Sequence, residues 1–200
     1  MYSRLVKRAL DVCGAIAGLF CILPFWPFIA CAIKVSSRGP VLVKIPRVSG
    51  GKLFNIYKFR TMVENAHLMR NDLLHLNERN DGPFFKMRND PRITRVGKVL
   101  RKYRIDEFPQ LINVLRGELA LVGPRAHEKE EVDHYPSEFR HIVFAKAGVT
   151  GLSQVSGASA LPFLKELELD NMYLKQPSFK EDLRIIVKTV AIIFTDSNAV

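Results

Sequence analysis

The sequence RIDEFPQLINVLRG occupies residues 104–117 and predicts the element around which the rest of the fold is organised. Pro109 lacks a backbone N–H, so it suits the first turn of a helix, where the amides have no intrahelical partner. Gly117 is a typical residue at the end of a helix. We therefore expect a helix that begins near Asp106 and ends at Gly117. Helical spacing gives this helix one apolar stripe, made of Phe108, Leu111, Ile112 and Leu115.

Two adjacent acids, Asp106 and Glu107, lie at the start of the predicted helix. The positive field of a helix N-terminus stabilises carboxylates, so both would be held ionised and close together. In one interpretation Asp106 is an N-cap, and Glu107 is only a neighbour that the helix dipole favours. In the other interpretation the pair carries chemistry, and the flanking segments favour that second interpretation.

The composition favours anionic partners. The chain has 200 residues, which suffice for one domain with a real core or for a domain plus a membrane element. Its 30 Lys and Arg residues against 20 Asp and Glu residues give a formal net charge of +10, which suits phosphorylated ligands, an anionic membrane surface or nucleic acid. A membrane-tethered nucleic-acid binder is disfavoured, because the sequence has no recognisable nucleic-acid motif and no aromatic stacking platform. The cysteines and histidines lack the spacing of a zinc site.

An uncharged, apolar run covers residues 12–33 and is long enough for a membrane helix. Pro24 and Pro27 lie near its middle, so a straight helix should break there. Both flanks are basic, and the cytoplasmic sides of membranes collect Lys and Arg, so both ends are expected on the cytoplasmic face. This predicts a re-entrant segment over residues 1–35, broken at Pro24, and one compact domain over residues 36–200. A single-pass anchor and an uncleaved signal-like segment are the alternatives, and no convincing A-x-A cleavage site follows the run.

A β-hairpin is predicted directly after the apolar run. Residues 41–48 and 53–59 are rich in β-forming side chains, and Ser-Gly-Gly-Lys at 49–52 joins them. The second strand runs into the sequence KFRTM, and the alternation of a strand would bring Lys58 and Arg60 out on one face.

Two basic features follow the hairpin. The first is an amphipathic helix over residues 92–103, a segment that contains Arg101 and no acid. A basic amphipathic helix lies on a headgroup layer or directs its cations at a phosphorylated substrate. The second is Arg125, which follows a short apolar strand at 119–122 and a rigid Gly-Pro turn. Such a turn can aim a guanidinium at a phosphate.

The remaining elements are predicted from periodicity and turn residues. They are a solvated helix at 63–79, a short strand at 84–87, a Gly-punctuated β segment at 146–157, and helices at 161–174 and 179–195. The helix at 161–174 has an apolar stripe of Leu164, Leu167 and Met172. The helix at 179–195 has an apolar stripe of Leu183, Ile186, Val187, Val190 and Phe194.

Taken together, and in this order, the motifs resemble the monotopic phosphoglycosyl transferases, the bacterial sugar transferase family that starts glycan assembly on a polyprenyl phosphate. The resemblance runs nearly from one end of the chain to the other. It is carried by the Pro-broken apolar segment and by the sequences KFRTM (58–62), NDPRIT (89–94), DEFPQL (106–111), NVLRG (113–117), VGPR (122–125), GVTG (148–151) and QV (154–155).

The resemblance implies an α+β fold: a re-entrant membrane helix hairpin broken at Pro24, then a compact, mostly helical cytosolic domain with a short β-hairpin. That domain is expected on the cytoplasmic face of the bacterial inner membrane. The implied reaction moves a sugar-1-phosphate from a nucleotide diphosphate sugar, usually a UDP-sugar, to polyprenyl (undecaprenyl) phosphate. It is a ping-pong reaction through a phosphosugar-aspartate. Membrane lipids are further partners, downstream glycosyltransferases and a second copy of the chain are candidates, and nucleic acid is not expected.

The resemblance also assigns roles to individual residues. Asp106 would be the nucleophile, and Glu107, with Asp106 beside it, would hold Mg²⁺ as the cofactor. The candidates for binding substrate phosphates are Arg125, Lys58, Arg60 and Arg101. Gln154 and Asp170 are candidates for the nucleotide-sugar site.

Three positions depart from the family pattern. Ala126 and Ala147 stand where the family usually has Pro, and Ala158 stands where it usually has Arg. The change at Ala158 removes a cation near the nucleotide side, which concerns donor recognition rather than the chemistry of the two acids. A catalytically inactive membrane scaffold for glycan assembly is the alternative that rests on Ala158. We expect the chain to be nearly all catalytic unit, without the additional membrane domain of larger members.

Overall fold

The computed structural model describes residues 2–157 and 160–195, with side chains up to Ile193. Ala158 and the side chain of Phe194 therefore lie outside the described residues. The fold is α+β, as predicted: helices dominate, and the strands form two small sheets of two strands each within the described residues.

The apolar N-terminal segment is helical and is interrupted near Pro24, as the sequence predicts. Helix α1 spans Arg4–Ile22, a 3₁₀ turn spans Leu23–Phe25, and helix α2 spans Trp26–Ser36. Pro24 lies at the start of the 3₁₀ turn, where a missing N–H leaves no hydrogen bond unmade. From its length and composition, the whole segment Arg4–Ser36 is able to cross a membrane.

Small residues let α1 pack closely on the rest of the chain. Ala15 is fully buried, and a Cβ added at Gly14 or Gly18 would come within 2.6 Å of a leucine side chain. Those leucines are Leu121 and Leu111, which lie on the two elements that carry the candidate site. Short distances of this kind are available only to small residues, so one face of α1 packs on the core while most of the apolar segment stays exposed.

Two cations near the start of α1 bind backbone carbonyls of the domain. Lys7 Nζ donates to Val122 O at 2.9 Å and pairs with the buried carboxylates of Asp11 and Asp182 at 3.0 and 2.9 Å. Arg8 donates to two carbonyls at the end of a helix described below, including Val114 O at 2.7 Å. Each of these carbonyls also has a second donor, Tyr173 Oη for Val122 O and Gly117 N for Val114 O, so the two cations tie α1 to the domain rather than satisfy unpaired groups.

The predicted β-hairpin is confirmed. Strand β1 spans Leu42–Ser49 and pairs antiparallel with strand β2, Lys52–Phe59, with Leu42 opposite Phe59. Gly50 and Gly51 both have positive φ, at 59° and 72°, as the twist of a tight two-residue hairpin turn requires.

The segment between the hairpin and the basic helix differs from the prediction. A 3₁₀ helix at Leu68–Leu76 replaces the solvated α-helix, and residues 84–87 do not form a strand. The amide of Asn77 takes the place of a partner strand: its Oδ1 accepts from Lys86 N at 2.8 Å, and its Nδ2 donates to Phe84 O at 3.0 Å. A side chain that satisfies the backbone in this way removes the need for a ladder.

Helix α3 spans Arg95–Lys102. The single helix predicted over residues 106–117 is divided into a 3₁₀ turn, Ile105–Glu107, and helix α4, Gln110–Arg116. Gly117 ends α4 with φ of 78°, as predicted. The apolar stripe is displaced, since Leu111 and Val114 are buried and Leu115 is exposed.

A second, parallel sheet orders the C-terminal half. Strand β3 spans Ala120–Val122 and pairs with strand β4, Gly148–Thr150. Helix α5 spans Lys129–Val132, and a 3₁₀ helix spans Ser137–Phe144 before β4. The predicted apolar strand and the predicted Gly-punctuated β segment are therefore neighbours in space.

The last two long helices have the predicted positions but different buried faces. After helix α6, Leu152–Val155, helix α7 spans Phe163–Lys175 and helix α8 spans Phe179–Thr195. On α7, Leu164 and Met172 are exposed and Leu167 is buried together with Glu166 and Asp170. On α8, Leu183, Val187 and Val190 are exposed, and Asp182 and Ile185 are buried. Buried hydrogen-bond partners, which periodicity does not encode, decide which face of each helix points inward.

The close contact between α3 and the backbone just after β2 can be tested by a substitution at Gly97. A Cβ at Gly97 would lie 2.0 Å from Thr61 O, which is backbone and cannot swing aside. We expect Gly97→Ala to lower the free energy of unfolding by about 1–3 kcal/mol, although alanine is the better helix former. Thermal unfolding in detergent measures this, with the exposed Lys98→Ala on the same helix as control. A Gly97→Ala protein as stable as the original would contradict the close contact.

Candidate active site

The two adjacent acids lie on the short 3₁₀ turn between α3 and α4. Arg104 precedes them with φ of 52° and ψ of 21°, in the left-handed region that non-glycine residues seldom adopt. This residue turns the chain out of α3. It is also the N-cap of the turn, while Pro109 is the N-cap of α4, so the interpretation of Asp106 as an N-cap is wrong. Asp106 is buried, and Glu107 is partly exposed.

Lys58, near the end of β2, is the cation that faces both acids. Its Nζ lies 2.7 Å from Glu107 Oε1 and 3.7 Å from Asp106 Oδ2. Burial raises the pKa of Glu107, but the attraction of Lys58 outweighs it and lowers that pKa to about 2. Burial raises the pKa of Asp106, because Lys58 offsets the cost only in part and the Glu107 carboxylate adds to it. Glu107 is thus firmly ionised, whereas Asp106 depends on nearby cations to remain charged.

Asn113 fixes the distance between β2 and the helix that follows the acids. This fully buried side chain accepts from Tyr57 N at 3.0 Å and donates to Asn55 O at 2.8 Å. It also donates to Glu118 Oε2 at 2.7 Å, so its amide has three partners. Tyr57 is the residue before Lys58, and Asn113 therefore sets the position of the Lys58 backbone. Sequence reasoning quoted Asn113 in a motif but assigned it no role.

Two of the predicted phosphate-binding arginines also lie near the acids. Arg101, on α3, donates from Nε to Thr61 Oγ1 at 3.0 Å, and its charge acts on Asp106. The charge of Arg125 acts on Glu107, and its side chain remains 41% exposed. Lys58, Arg101 and Arg125 thus surround the acids, with an exposed guanidinium among them.

Arg60 has a different environment. Its buried guanidinium lies at the C-terminal end of α2, where Nη2 donates to Ser37 O at 2.6 Å and lies 3.5 Å from Ile33 O. The negative end of a helix dipole favours a cation there. Strand β2 ends at Phe59, so the alternation that would pair Arg60 with Lys58 stops one residue too early. The placement of Arg60 does not support a phosphate-binding role.

Asp170, predicted for the nucleotide-sugar site, supports the turn that carries Arg125. Its Oδ2 accepts from Arg125 N at 2.9 Å, and its Oδ1 accepts from Ser153 Oγ at 2.7 Å. The carboxylate thereby ties α7 to α6 and to the Gly-Pro-Arg turn. Burial raises the pKa of Asp170 to about 6. The two hydrogen bonds favour the ionised form and lower the pKa, but by less than burial raises it.

Gln154, the other residue predicted for that site, is the neighbour of Ser153 on α6. It is buried, and its Nε2 donates to Val149 O at 3.3 Å. Among the described residues its Oε1 has no hydrogen-bond partner. The structure therefore brings Gln154 and Asp170 to the same side of the Arg125 turn.

Three buried residues that sequence reasoning did not identify lie behind Arg125. His127 Nε2 lies 2.8 Å from Glu166 Oε1, and His127 Nδ1 lies 2.5 Å from the Tyr135 hydroxyl. Glu166 Oε1 in turn lies 3.7 Å from Arg125 Nε. The spacing of Glu166 and Asp170, four residues apart on one helix, is the signal that could have revealed this face.

The acids suit a metal ion that arrives together with a phosphorylated ligand. Within residues 2–157 and 160–195 no group of three or more His, Cys, Asp or Glu side chains is close enough together to hold a metal ion by itself. Mg²⁺ commonly binds one or two carboxylates and completes its shell with substrate phosphates and water. Glu107 and Asp106 fit that pattern, and Lys58 shows that a cation can lie between them.

Comparison with known proteins identifies the family. The family model described as "Bacterial sugar transferase" matches residues 2–196. The chain belongs to the bacterial sugar transferase family. The resemblance seen in the motifs is thereby confirmed over almost the entire chain.

Several curated relatives in this family are similar along nearly all of the chain. The chain is 36% identical over 203 residues to an undecaprenyl-phosphate galactose phosphotransferase of Salmonella typhimurium, covering 98% of this chain and 42% of the relative. It is 38% identical over 204 residues to a UDP-glucose:undecaprenyl-phosphate glucose-1-phosphate transferase of Caulobacter vibrioides, covering 96% of this chain and 71% of the relative. It is 34% identical to the exopolysaccharide production protein ExoY of Rhizobium meliloti, covering 93% and 84%. The chain thus spans less than half of some relatives.

The raised pKa of Asp170 predicts a pH-dependent stability. The folded chain holds this proton more tightly than the unfolded chain, whose Asp has a pKa of 3.8. Its stabilising contribution is therefore present below about pH 4 and is lost as the pH rises to about 6, by up to about 3 kcal/mol. Asp170→Asn removes the titration, so the stability of the original relative to this variant should fall across that window. Unfolding in detergent between pH 4 and 7 measures the difference, and the exposed Asp133→Asn is the control. A difference that is constant with pH would contradict the assignment.

Proposed function

We propose that this sugar transferase moves a sugar-1-phosphate from a nucleotide diphosphate sugar, most simply a UDP-sugar, to polyprenyl phosphate. The observation that carries the proposal is the buried Asp106 beside the ionised Glu107, with Lys58 facing both and the exposed Arg125 nearby. Relatives named for the transfer of galactose or glucose phosphate to undecaprenyl phosphate support the same reaction class. The product would start the assembly of a polysaccharide or glycoconjugate.

The proposed chemistry has two balanced steps at Asp106. In the first, a carboxylate oxygen of Asp106 bonds to the β-phosphorus, the bond from that phosphorus to the bridging oxygen breaks, and the nucleoside monophosphate leaves with that oxygen. In the second, a phosphate oxygen of the lipid bonds to the same phosphorus, and the Asp106 carboxylate is released. The sugar keeps its bond to phosphate throughout. A ping-pong sequence of this kind needs only one nucleophile on the chain.

The surrounding residues would supply positioning and charge. Lys58 and Arg101 favour the ionised form of Asp106 and offset part of the cost of its burial. Arg125 is exposed enough to bind an oxygen of the transferred phosphate. When bound, Mg²⁺ would neutralise phosphate charge beside Glu107 and Asp106. Phosphoryl transfer depends mainly on such positioning and electrostatic stabilisation, so these residues suffice for the chemistry.

The N-terminal helices support a re-entrant topology, which we include in the proposal. The start of α1 is bound to the domain through Lys7 and Arg8, and the end of α2 is bound to it through Arg60. Both ends of the apolar segment therefore contact the same domain, which favours one cytoplasmic side for both. The exposed apolar residues of α8 would rest on the same membrane face; these are Leu183, Val187 and Val190.

Asp106→Asn tests the nucleophile. We expect the rate of UMP release from the UDP-sugar that the original protein uses to fall by about a thousandfold or more. The amide cannot replace the carboxylate as the nucleophile. The protein should still unfold cooperatively and remain in the membrane fraction. The exposed Asp72→Asn is the control and should release UMP at the original rate.

The screen that precedes this measurement incubates the protein with Mg²⁺ and a panel of UDP-sugars, with and without polyprenyl phosphate. Release of UMP from one of them without the lipid supports the two-step reaction. Robust turnover by Asp106→Asn, with deamidation excluded by mass spectrometry, would rule out Asp106 as the nucleophile. If no nucleotide sugar releases its nucleoside monophosphate, the inactive-scaffold alternative is favoured.

Cysteine labelling tests the topology. In a background where Cys13, Cys21 and Cys31 are replaced by Ser, we expect Arg4→Cys and Arg38→Cys to react with a membrane-impermeant maleimide from the cytoplasmic side alone. Both positions are exposed, so access is decided by the membrane. Intact spheroplasts and inverted vesicles provide the two sides. Labelling of Arg4→Cys from the periplasmic side would contradict the re-entrant topology and favour a single pass.

A further inference from the structure

A line of buried polar side chains ends at Arg125. It runs from Tyr135 to His127 and then to Glu166, through hydrogen-bond distances of 2.5 and 2.8 Å. Tyr135, His127 and Glu166 are each at most 4% exposed. We call these three residues the buried line. Arg125 Nε lies 3.7 Å from its last member, Glu166 Oε1, and the Arg125 side chain is the first exposed group along it.

The protons along the buried line have a defined order. Burial raises the pKa of Tyr135, so the phenol keeps its proton and donates it to His127 Nδ1. The other ring nitrogen, Nε2, lies 2.8 Å from Glu166 Oε1 and is placed to donate to it. Burial raises the pKa of Glu166, but His127 and Arg125 outweigh it and lower that pKa below its usual value, so Glu166 is a carboxylate at neutral pH.

Aromatic rings pack against the buried line. Phe84 packs edge-on against His127, with ring centroids 5.2 Å apart, and Phe163 packs against Tyr135 at 6.0 Å. Interactions between charged groups are stronger in such an environment than in water. The Glu166 carboxylate is therefore fixed in place, and its attraction acts on a guanidinium that would otherwise be free to move.

Helix α7 holds Arg125 at two points. Asp170 accepts the backbone N–H of Arg125, and Glu166, one turn earlier on the same face, faces its side chain. Nothing in the proposed reaction uses Glu166, since the acids at residues 106 and 107 carry the chemistry. Burying the Glu166 carboxylate costs free energy, and its contacts to His127 and Arg125 offset that cost.

We propose that Glu166, oriented by the rest of the buried line, is a positioning residue that aims the Arg125 guanidinium at a phosphate of the bound nucleotide. This inference rests on the proposed function, because it assumes that the site binds a nucleotide phosphate. Glu166 acts through Arg125 and touches no substrate itself.

The direction in which Glu166→Gln changes the affinity for an anion separates positioning of Arg125 from simple electrostatics. Glu166→Gln keeps the shape of the side chain and an acceptor for His127, but removes a negative charge near the anion site. If charge alone mattered, the loss of a carboxylate would tighten the binding of an anion. If Glu166 aims Arg125, its loss should weaken the binding.

The test measures UDP binding in the presence of Mg²⁺ by titration calorimetry on the full chain in detergent. We expect Glu166→Gln to weaken UDP binding by about fivefold, within the range of coupling for residues of one network. In a background of Arg125→Ala, the same substitution should change UDP affinity by less than about twofold, because its target is gone. The matched control is Glu168→Gln, an exposed acid two residues along α7, which should leave the affinity unchanged.

The outcomes decide the proposal. Unchanged or tighter UDP binding by Glu166→Gln overturns it, and so does an equal loss with and without Arg125. If Glu166→Gln does not fold, Tyr135→Phe replaces it in the same cycle: this variant frees the His127 tautomer and should weaken UDP binding only when Arg125 is present. Binding does not require turnover. A protein that binds UDP but releases UMP from no UDP-sugar therefore contradicts the proposed function, while the cycle still decides the role of Glu166.

Discussion

Placing two adjacent carboxylates together, one buried and one partly exposed, is the constraint on which the site depends. Charged groups leave water only where other charges or hydrogen bonds compensate them, so Asp106 and Glu107 need a cation within a few ångströms. Lys58 supplies it at 2.7 Å from Glu107. That contact requires β2 to lie against the start of α4, and the buried amide of Asn113 holds the two together. The hairpin, the 3₁₀ turn and α4 therefore form one unit around a pair of charges.

The apolar N-terminal segment belongs to the same unit. Lys7 and Arg8 bind the carbonyl ends of β3 and α4, and Arg60 binds the carbonyl end of α2. At α4 and α2 the cation lies at the negative end of a helix dipole, whereas Lys7 makes a hydrogen bond to a single carbonyl of the strand β3. Because α1 is bound to elements on both sides of the site, the apolar segment and the site hold fixed positions relative to each other.

Helix α7 has a polar buried face that its apolar periodicity does not reveal. Its buried face contains Glu166 and Asp170, and its exposed face contains Leu164 and Met172. The acids are buried because His127, Ser153 and the backbone of the Arg125 turn give them partners. The orientation of the helix thus follows from contacts made across the molecule, and its apolar residues on the outer face remain available to other surfaces.

The sequence by itself determined the α+β class, the break near Pro24, the β-hairpin, the end of α4 at Gly117, and the family through its ordered motifs. Its motifs and charges also named Asp106, Glu107, Lys58 and Arg125 as candidate site residues, and their roles stay predictions. Only the tertiary structure decided which cations face the acids, because it directs the Arg60 guanidinium to the C-terminal end of α2 instead. It also decided which faces of α7 and α8 are buried. It alone revealed the partnership of His127 with Glu166, 39 residues apart. Hydrogen bonds between distant segments satisfy buried polar groups, and such pairings have no period in the sequence.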